Sequence, residues 1–379
     1  MRIAIFTETF LPRWDGVTQT LCYLLEHLAK RGHASLMFAP ENAPHSYADT
    51  CIVGLPSMAF PLYRDIKLVP PVFNVSDELA AFKPDLVHLV NPAVSGLAGI
   101  RHARNLNLPV IASYQTDFAA YAQHYGLHLF EQQIWAYFRW LHNKADLNLC
   151  PSNYTKRRLE AHDFERLAVW GHGVDTERFH PRHRSSTWRM RLTGGQPERT
   201  LLLYAGRLAR EKRIEWLRPL CDALPDVSLA IVGDGPVREE LEERFRGTPT
   251  VFTGYLQGED LSQAYASADL FVFPSATETF GIVILEAMAS GLPVVAVGAG
   301  GPIDQVHHDR DGYLSDPQDP ADFLAWVKRA TADRDRLHQM GEAARAYAET
   351  QTWEAILDDL MDLYAELVTH AAAKAPAAV

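Results

Sequence analysis

Short β-branched runs alternate with helical patterns from the first residue onward, and this alternation restricts the fold more than any other feature. RIAIF (2–6) reads as a buried strand, after which Val17, Leu21, Leu24, Leu25 and Leu28 recur at helical spacing as far as Gly32. SLMFA (35–39), DLVHLV (85–90), PVIAS (109–113) and DLNLC (146–150) continue the strand series. A second series follows: TLLLYAG (200–206), VSLAIVG (227–233), TVFTG (250–254), DLFVFPS (269–275) and LPVVAVG (292–298). Strands separated by helices imply right-handed crossovers and parallel sheets covered on both faces.

A chain of 379 residues exceeds one ordinary core. The two series therefore predict two tandem doubly wound α/β domains, residues 1–175 and 176–355, with a site expected in the cleft where the carboxyl ends of both sheets meet. WGHGVDTERFHPRHRSSTWRMRLTGGQPER (170–199), rich in Gly, Pro and charge, reads as the connection between them. Residues 356–379 are expected to form a terminal helix that packs back on the first domain and ends in a frayed tail.

Composition excludes several functions. With 36 Lys+Arg against 47 Asp+Glu the formal charge is -11, so the whole-chain field does not draw in nucleic acid. Cys22, Cys51, Cys150 and Cys221 lack CxxC or metal spacing and read as reduced, mostly packed thiols of a cytoplasmic protein. The sixteen histidines form no HExxH, and no metal site or resident cofactor is expected. No stretch reaches about 18 apolar residues, which predicts a chain that neither spans a membrane nor carries a signal peptide. Contact with a membrane surface stays open: YRDIKLVPPVF (63–73), read as a loop, and EQQIWAYFRWLHNKA (131–145), read as an aromatic helix, both mix basic and apolar residues.

Chemistry concentrates in ATETFGIVILEAMASGLPVVA (276–296), which carries two glutamates eight positions apart in an otherwise apolar or small-residue stretch. DLFVFPS reads as the strand, SATET as the turn, and FGIVILEAMAS as a helix with Thr279 as N-cap and Gly291 as C-cap. At 1.5 Å rise per residue the two backbones are about 10 Å apart, more than the roughly 5 Å of a glycosidase nucleophile and acid pair. Glu278 and Glu286 therefore have separate tasks on one extended ligand. The N–H groups of Phe280, Gly281 and Ile282 between them form an anion site. A ligand with phosphate in its middle and hydroxyls at both ends fits this pattern, as a nucleotide sugar does.

AGRLAREKRIE (205–215) adds Arg207 in the turn after a strand and Lys212 nearby, both within reach of a diphosphate at the carboxyl edge of the sheet. Gly16 in TETFLPRWDGVTQT opens a helix and permits close backbone approach. IVGDGP (231–236) is a broken dinucleotide fingerprint, because Pro236 and Arg238 follow where a further glycine is required. SYQTDFAAYAQHYG (113–126) gathers Gln115, Asp117, Tyr121 and His124 after a first-half strand, as an acceptor site would. DRD occurs at 309–311 and 333–335, in charged turns that read as solvated.

Together, ETFLPRWDGV, YAGRLAREK, VGDGP, FVFPSATETFGIVILEAMASGLPVVA and AVGAGG resemble the retaining glycosyltransferases of family 4, which have the GT-B fold of two Rossmann-like domains. Within that family the chain is similar to GDP-mannose-dependent α-mannosyltransferases and to glucosyl- and sulfoquinovosyl-diacylglycerol synthases. The resemblance implies transfer of a hexose, mannose or glucose in type, from a GDP- or UDP-linked sugar to a lipid or glycolipid hydroxyl, possible at the inner face of the cell membrane. It implies that Glu278 contacts the transferred sugar, Glu286 the ribose, and Arg207 and Lys212 the diphosphate. Phe280, Gly281 and Ile282 would offer backbone N–H groups, with Gly16 and Gly233 against the donor.

One departure stands out. Many members carry a histidine where this chain has Gln115, and glutamine cannot take up a proton at neutral pH. The expected mechanism needs no such base: a phosphate oxygen of the leaving diphosphate accepts the acceptor proton. The alternatives are a soluble sugar acceptor, a sugar-nucleotide epimerase or hydrolase of the same fold, a non-catalytic sensor, and a dinucleotide oxidoreductase. The broken fingerprint opposes the last.

Overall fold

The computed structural model describes residues 1–60, 63–68, 75–117 and 131–374. It divides into two compact units, Met1–Gly171 with Ile356–Val379, and His172–Ala355.

The first unit is built on an eight-stranded sheet, in the spatial order Leu167–Val169, Leu147–Cys150, Val110–Ser113, Leu86–Val90, Arg2–Thr7, Ala34–Pro40, Thr50–Leu55 and Ser46–Tyr47. Every pairing is parallel except that of the last two strands. Ile3 lies beside Ser35 on one neighbour and Leu86 on the other. Helices on both faces bury these strands, so the central ones carry apolar residues at nearly every position. Each Leu, Ile or Phe withdrawn from water contributes about 1.5–3 kcal/mol. Residues 63–68, expected as loop, form a strand antiparallel to Met58–Phe60; residues 69–74 lie outside the described set.

The last helix, Trp353–Lys374, buries Leu357, Leu360 and Tyr364. Within the first unit Asp358 pairs with His27 at 2.9 Å and with Arg31, and Tyr364 shares a 2.6 Å hydrogen bond with Nδ1 of His88. His88 bridges on to Ser113, and burial pushes its pKa down to about 3.

The second unit has a six-stranded, wholly parallel sheet: Thr250–Gly254, Val227–Val232, Thr200–Ala205, Leu270–Phe273, Val294–Val297 and Gly312–Ser315. Its chain order reverses between Thr200–Ala205 and Leu270–Phe273, which opens a crevice at their carboxyl ends. Much of the segment expected as a connection belongs to this core. Val174, Phe179, Trp188 and Leu192 are buried in it, and Ser186–Leu192 is a helix capped by Ser185. The first DRD copy is not solvated: Asp311 is 0% exposed and accepts hydrogen bonds from the backbone N–H and Nδ1 of His307. Asp333, in the second copy, caps the helix Arg334–Ala348.

Candidate active site

The crevice of the second sheet is where the charged residues gather. Strand Thr200–Ala205 ends in Gly206, at φ +153°, and the turn that carries Arg207 lies directly against Gly233 and Gly235. A Cβ on Gly233 would overlap the Gly206 carbonyl, so only glycine lets the two turns touch. Backbone bonds from Gly206 N–H to Val232 O (3.0 Å) and from Leu208 N–H to Asp234 O (2.9 Å) fix that contact. The buried Tyr204 hydroxyl donates to the Arg207 carbonyl at 3.2 Å. Its pKa is raised far above the ordinary phenol value by burial first and by Glu278 and Glu211 next, so it remains a donor.

Lys212 ends a short 3-10 turn, Arg210–Lys212, and Arg213 behind it takes a left-handed conformation at φ +53°. Its Nζ donates to Oε1 of Glu278 at 2.5 Å, and both side chains are largely buried. The Ser275 hydroxyl donates to the same oxygen at 3.0 Å. A carboxylate held by one ammonium and one hydroxyl is fixed in direction.

The glutamate loop rests on the Gly-Gly turn. Gly301 N–H donates to the Glu278 carbonyl at 2.8 Å, and Nε2 of the buried Gln305 to the Phe280 carbonyl at 2.5 Å. Cβ atoms on Gly300 or Gly301 would overlap those carbonyls. The helix then runs Ile282–Ala289, starting later than expected. Its N-cap is Gly281, at φ +92° and without a side-chain cap, rather than Thr279. The positive φ turns the chain sharply, and the first bond of the turn, from Ile284 N–H to the Gly281 carbonyl at 2.9 Å, leaves the N–H groups of Ile282 and Val283 ahead of the intrahelical ladder. Gly291, at φ +78°, follows the helix end.

Glu286, on the second turn, is 8% exposed, and the Tyr265 hydroxyl donates to its Oε2 at 3.0 Å. Burial, then the charge of Glu286, keeps that tyrosine protonated. Phe280 meets His172 edge to face at 4.8 Å, and burial holds the imidazole neutral with a pKa of about 4.

Arg207, Lys212, Gly233, Glu278, Phe280, Gly281, Ile282 and Glu286 thus share the carboxyl edge of one sheet. The other named residues are on the first unit. Gly16 opens the helix Gly16–Lys30, capped by Asp15, whose carboxylate accepts from Thr18 N–H at 2.9 Å. Gln115 and Asp117 follow strand Val110–Ser113 and are 7% and 6% exposed. Asp117 pairs with Arg158 at 2.5 Å and accepts from the Tyr114 hydroxyl at 3.2 Å. Tyr121 and His124 lie outside the described residues.

Sequence reasoning passed over Tyr265, Ser275, Gln305 and Glu8. Ser275 is three positions from Glu278 and could have been found locally. Tyr265 and Gln305 act from 21 and 25 residues away in sequence, with no local signal. Glu8 is buried, and its Oε1 accepts from the N–H groups of Ala93, Val94 and Ser95 at 3.2, 2.5 and 2.6 Å.

Two family descriptions match the chain, Glycosyltransferase Family 4 over residues 14–178 and Glycosyl transferases group 1 over residues 191–347. It is 39% identical over 372 residues to the GDP-mannose-dependent alpha-mannosyltransferase of Mycolicibacterium smegmatis, covering 96% of this chain and 97% of that protein. The chain is a family 4 glycosyltransferase. This glycosyltransferase is also 37% identical over 363 residues to the sulfoquinovosyl transferase SQD2 of Arabidopsis thaliana, covering 93% of this chain and 71% of that protein. Its fold is GT-B, and sucrose-phosphate synthase from Thermosynechococcus elongatus superimposes with a TM-score of 0.80 at 23% identity, covering 97% and 99% of the two chains. Among the described residues of the glycosyltransferase, no cluster of His, Cys, Asp and Glu could hold a metal ion, and no helix is long and apolar enough to cross a membrane.

Proposed function

We propose that this glycosyltransferase moves a hexose from a nucleoside-diphosphate sugar, GDP-mannose first, to a hydroxyl of a lipid or glycolipid, with retention of configuration and without a metal ion. The observation that carries the reading is the Lys212–Glu278 pair beside Arg207 and the uncapped helix start at Ile282. Cations and helix N–H groups there suit a diphosphate, while a carboxylate suits a sugar. The donor is argued from the mannosyltransferase at 39% identity, and the lipid acceptor from the alpha-monoglucosyldiacylglycerol synthase of Streptococcus pneumoniae, to which the chain is 30% identical over 316 residues.

The chemistry follows from those groups. The bond between the anomeric carbon and the diphosphate oxygen breaks as the acceptor oxygen approaches from the same face. The acceptor proton passes to a phosphate oxygen, so neither Gln115 nor the neutral His172 is needed as a base. Arg207, Lys212 and the helix start stabilise the charge that grows on the leaving diphosphate. Lys212 therefore turns from Glu278 toward the donor, and the released carboxylate faces the sugar as positive character develops there. Glu286, steadied by Tyr265, takes the ribose hydroxyls.

The test is a thermal-shift series with GDP, UDP, ADP and dTDP and their sugars, followed by transfer assays with and without EDTA and NMR of the product anomer. A ligand at 100 times its dissociation constant stabilises by about 2.7 kcal/mol. GDP-mannose should raise the melting temperature, EDTA should change nothing, and the product should be the α anomer. Stabilisation by none of these nucleotides, or an inverted product, overturns the reading.

A further inference from the structure

Three neighbouring strands of the second sheet end side by side at its crevice: Thr200–Ala205 in the turn Gly206–Leu208, Val227–Val232 in the turn Gly233–Gly235, and Thr250–Gly254 at Gly254 itself. The middle turn touches both others. Leu208 N–H donates to the Asp234 carbonyl, Val237 N–H to the Leu208 carbonyl at 3.2 Å, and Gly233 N–H to the Gly254 carbonyl at 2.9 Å. A Cβ on Gly235 would overlap the Leu208 carbonyl, as one on Gly233 would overlap that of Gly206. The first turn, with the backbone of Arg207, therefore rests on the second.

One side chain gathers the middle turn and the outer strand end. Arg238, half-buried, donates from Nη1 to Oδ2 of Asp234 at 2.9 Å and from Nε to Oε1 of Glu242 at 2.8 Å. The other oxygen of Asp234 accepts from Gly235 N–H at 2.7 Å. The same guanidinium lies against Gly254, where a Cβ would stand 3.2 Å from Nη1. An ion pair four residues apart on a helix stabilises that helix slightly, and this accounts for Glu242 on Arg238–Arg244. It does not account for the other two contacts, since Asp234 precedes the helix and Gly254 belongs to another strand. A rigid fork of donors can hold two carboxylates at fixed angles at once, which a single ammonium cannot.

We propose that Arg238 is a positioning residue for the donor: it fixes the Gly233–Gly235 turn, and through that turn the place of Arg207. Arg238 itself touches no substrate. The inference rests on the reading of this crevice as the donor site, with Arg207 on the diphosphate. Charge-assisted bonds to phosphate oxygens are short and directional, so a shift of the turn beneath Arg207 weakens them.

The test is calorimetric titration of GDP and of UDP into the unaltered protein, Arg238→Ala, Arg207→Ala and the protein with both changes. Arg238→Ala should weaken binding of the nucleotide about 10-fold, a coupling ordinary for residues that share contacts. In the Arg207→Ala background the same change should weaken it no further, because the group that Arg238 positions is gone. A general loosening of the crevice would instead cost the same factor in both backgrounds, and that result overturns the proposal. Arg238→Lys, which keeps the charge and loses the fork, should fall between Arg238→Ala and the unaltered protein. Glu242→Gln breaks only the contact within the helix and should leave the affinity unchanged; a loss equal to that of Arg238→Ala would assign Arg238 to its helix alone and overturn the proposal. Normal affinity in Arg238→Ala, beside a loss in Arg207→Ala, overturns this inference and leaves the donor site standing. Failure of both nucleotides to bind the unaltered protein, or binding indifferent to Arg207→Ala, overturns both.

Discussion

The two sheets treat their own switch points in opposite ways. In the first, between Arg2–Thr7 and Leu86–Val90, the protein supplies its own anion: Glu8 fills the N-terminus of the helix Ser95–Asn105 with three backbone hydrogen bonds. In the second, the helix Ile282–Ala289 opens on Gly281 with no side-chain cap, and Lys212 stands beside it on Glu278. The two crevices share an architecture, yet one helix start is closed by the chain's own carboxylate and the other has no side-chain cap. Fold alone therefore does not say which half binds phosphate. The donor site proposed above rests on the residue at the helix start.

Acid should separate the halves most. His88 and His142 in the first unit have pKa values pushed by burial to about 3 and about 4, and His172 in the second to about 4. An unfolded imidazole titrates near 6.5, so below that pH the unfolded state binds more protons and stability falls as pH falls. Each histidine withdraws about 2 kcal/mol between pH 7 and pH 5. Hydrogen exchange at the two pH values should show the first unit losing about 4 kcal/mol against about 2 for the second. Equal losses would break the contrast.

Catalysis should fail only in the second unit's crevice. Arg207→Ala and Lys212→Ala should each lower turnover by about 10²-fold or more, as lost charge stabilisation at the leaving group implies. Near-normal turnover in both would remove the crevice from the reaction.

Glu8→Ala leaves the N–H groups of Ala93, Val94 and Ser95 at the helix start without their acceptor, and a loss of about 2 kcal/mol in denaturant unfolding is expected. Glu8→Gln, which retains one acceptor oxygen, should recover part of it. A full loss of donor binding in Glu8→Ala, at unchanged stability, would mean that the first unit's crevice also serves a ligand.

The smallest effect sharpens the role of Glu286. Tyr265→Phe removes one hydroxyl from a filled core, and should raise the donor KM about 5-fold with kcat nearly unchanged, in keeping with a hydrogen bond worth about 1 kcal/mol. Ser275→Ala acts on Glu278 instead, and should lower kcat with less change in KM. Identical profiles for the two variants would show that the glutamates do not have separate tasks.

The sequence made the central strands of both sheets plain, because strands covered on two faces must be apolar almost throughout. The edge strand Leu167–Val169, and Thr50–Leu55, which has only the two-residue Ser46–Tyr47 on its outer side, escaped notice, since a strand with little pairing on one side meets fewer neighbours and its pattern is mixed. Residues 170–199 read as a connection because their periodicity is poor, yet Val174, Phe179 and Trp188 are core residues; a few large anchors suffice where the path between them is irregular. Asp311 read as solvated from its charged neighbours, and is buried because His307 and a backbone N–H satisfy it.

At the site, local spacing brought out Glu278, Glu286, Arg207 and Lys212, whose charge and glycine-rich turns are unusual in apolar surroundings. It did not predict that Lys212 and Glu278, 66 residues apart, bond directly, or that Tyr265 and Gln305 hold the glutamate helix and its loop. The sequence by itself determined the central strands, their parallel pairing and the family, because apolar periodicity and turn glycines act over a few residues. Only the tertiary structure decided which hydroxyl serves which carboxylate and which helix start stays open. Those choices depend on contacts between distant segments, which the strand order creates and no local pattern records.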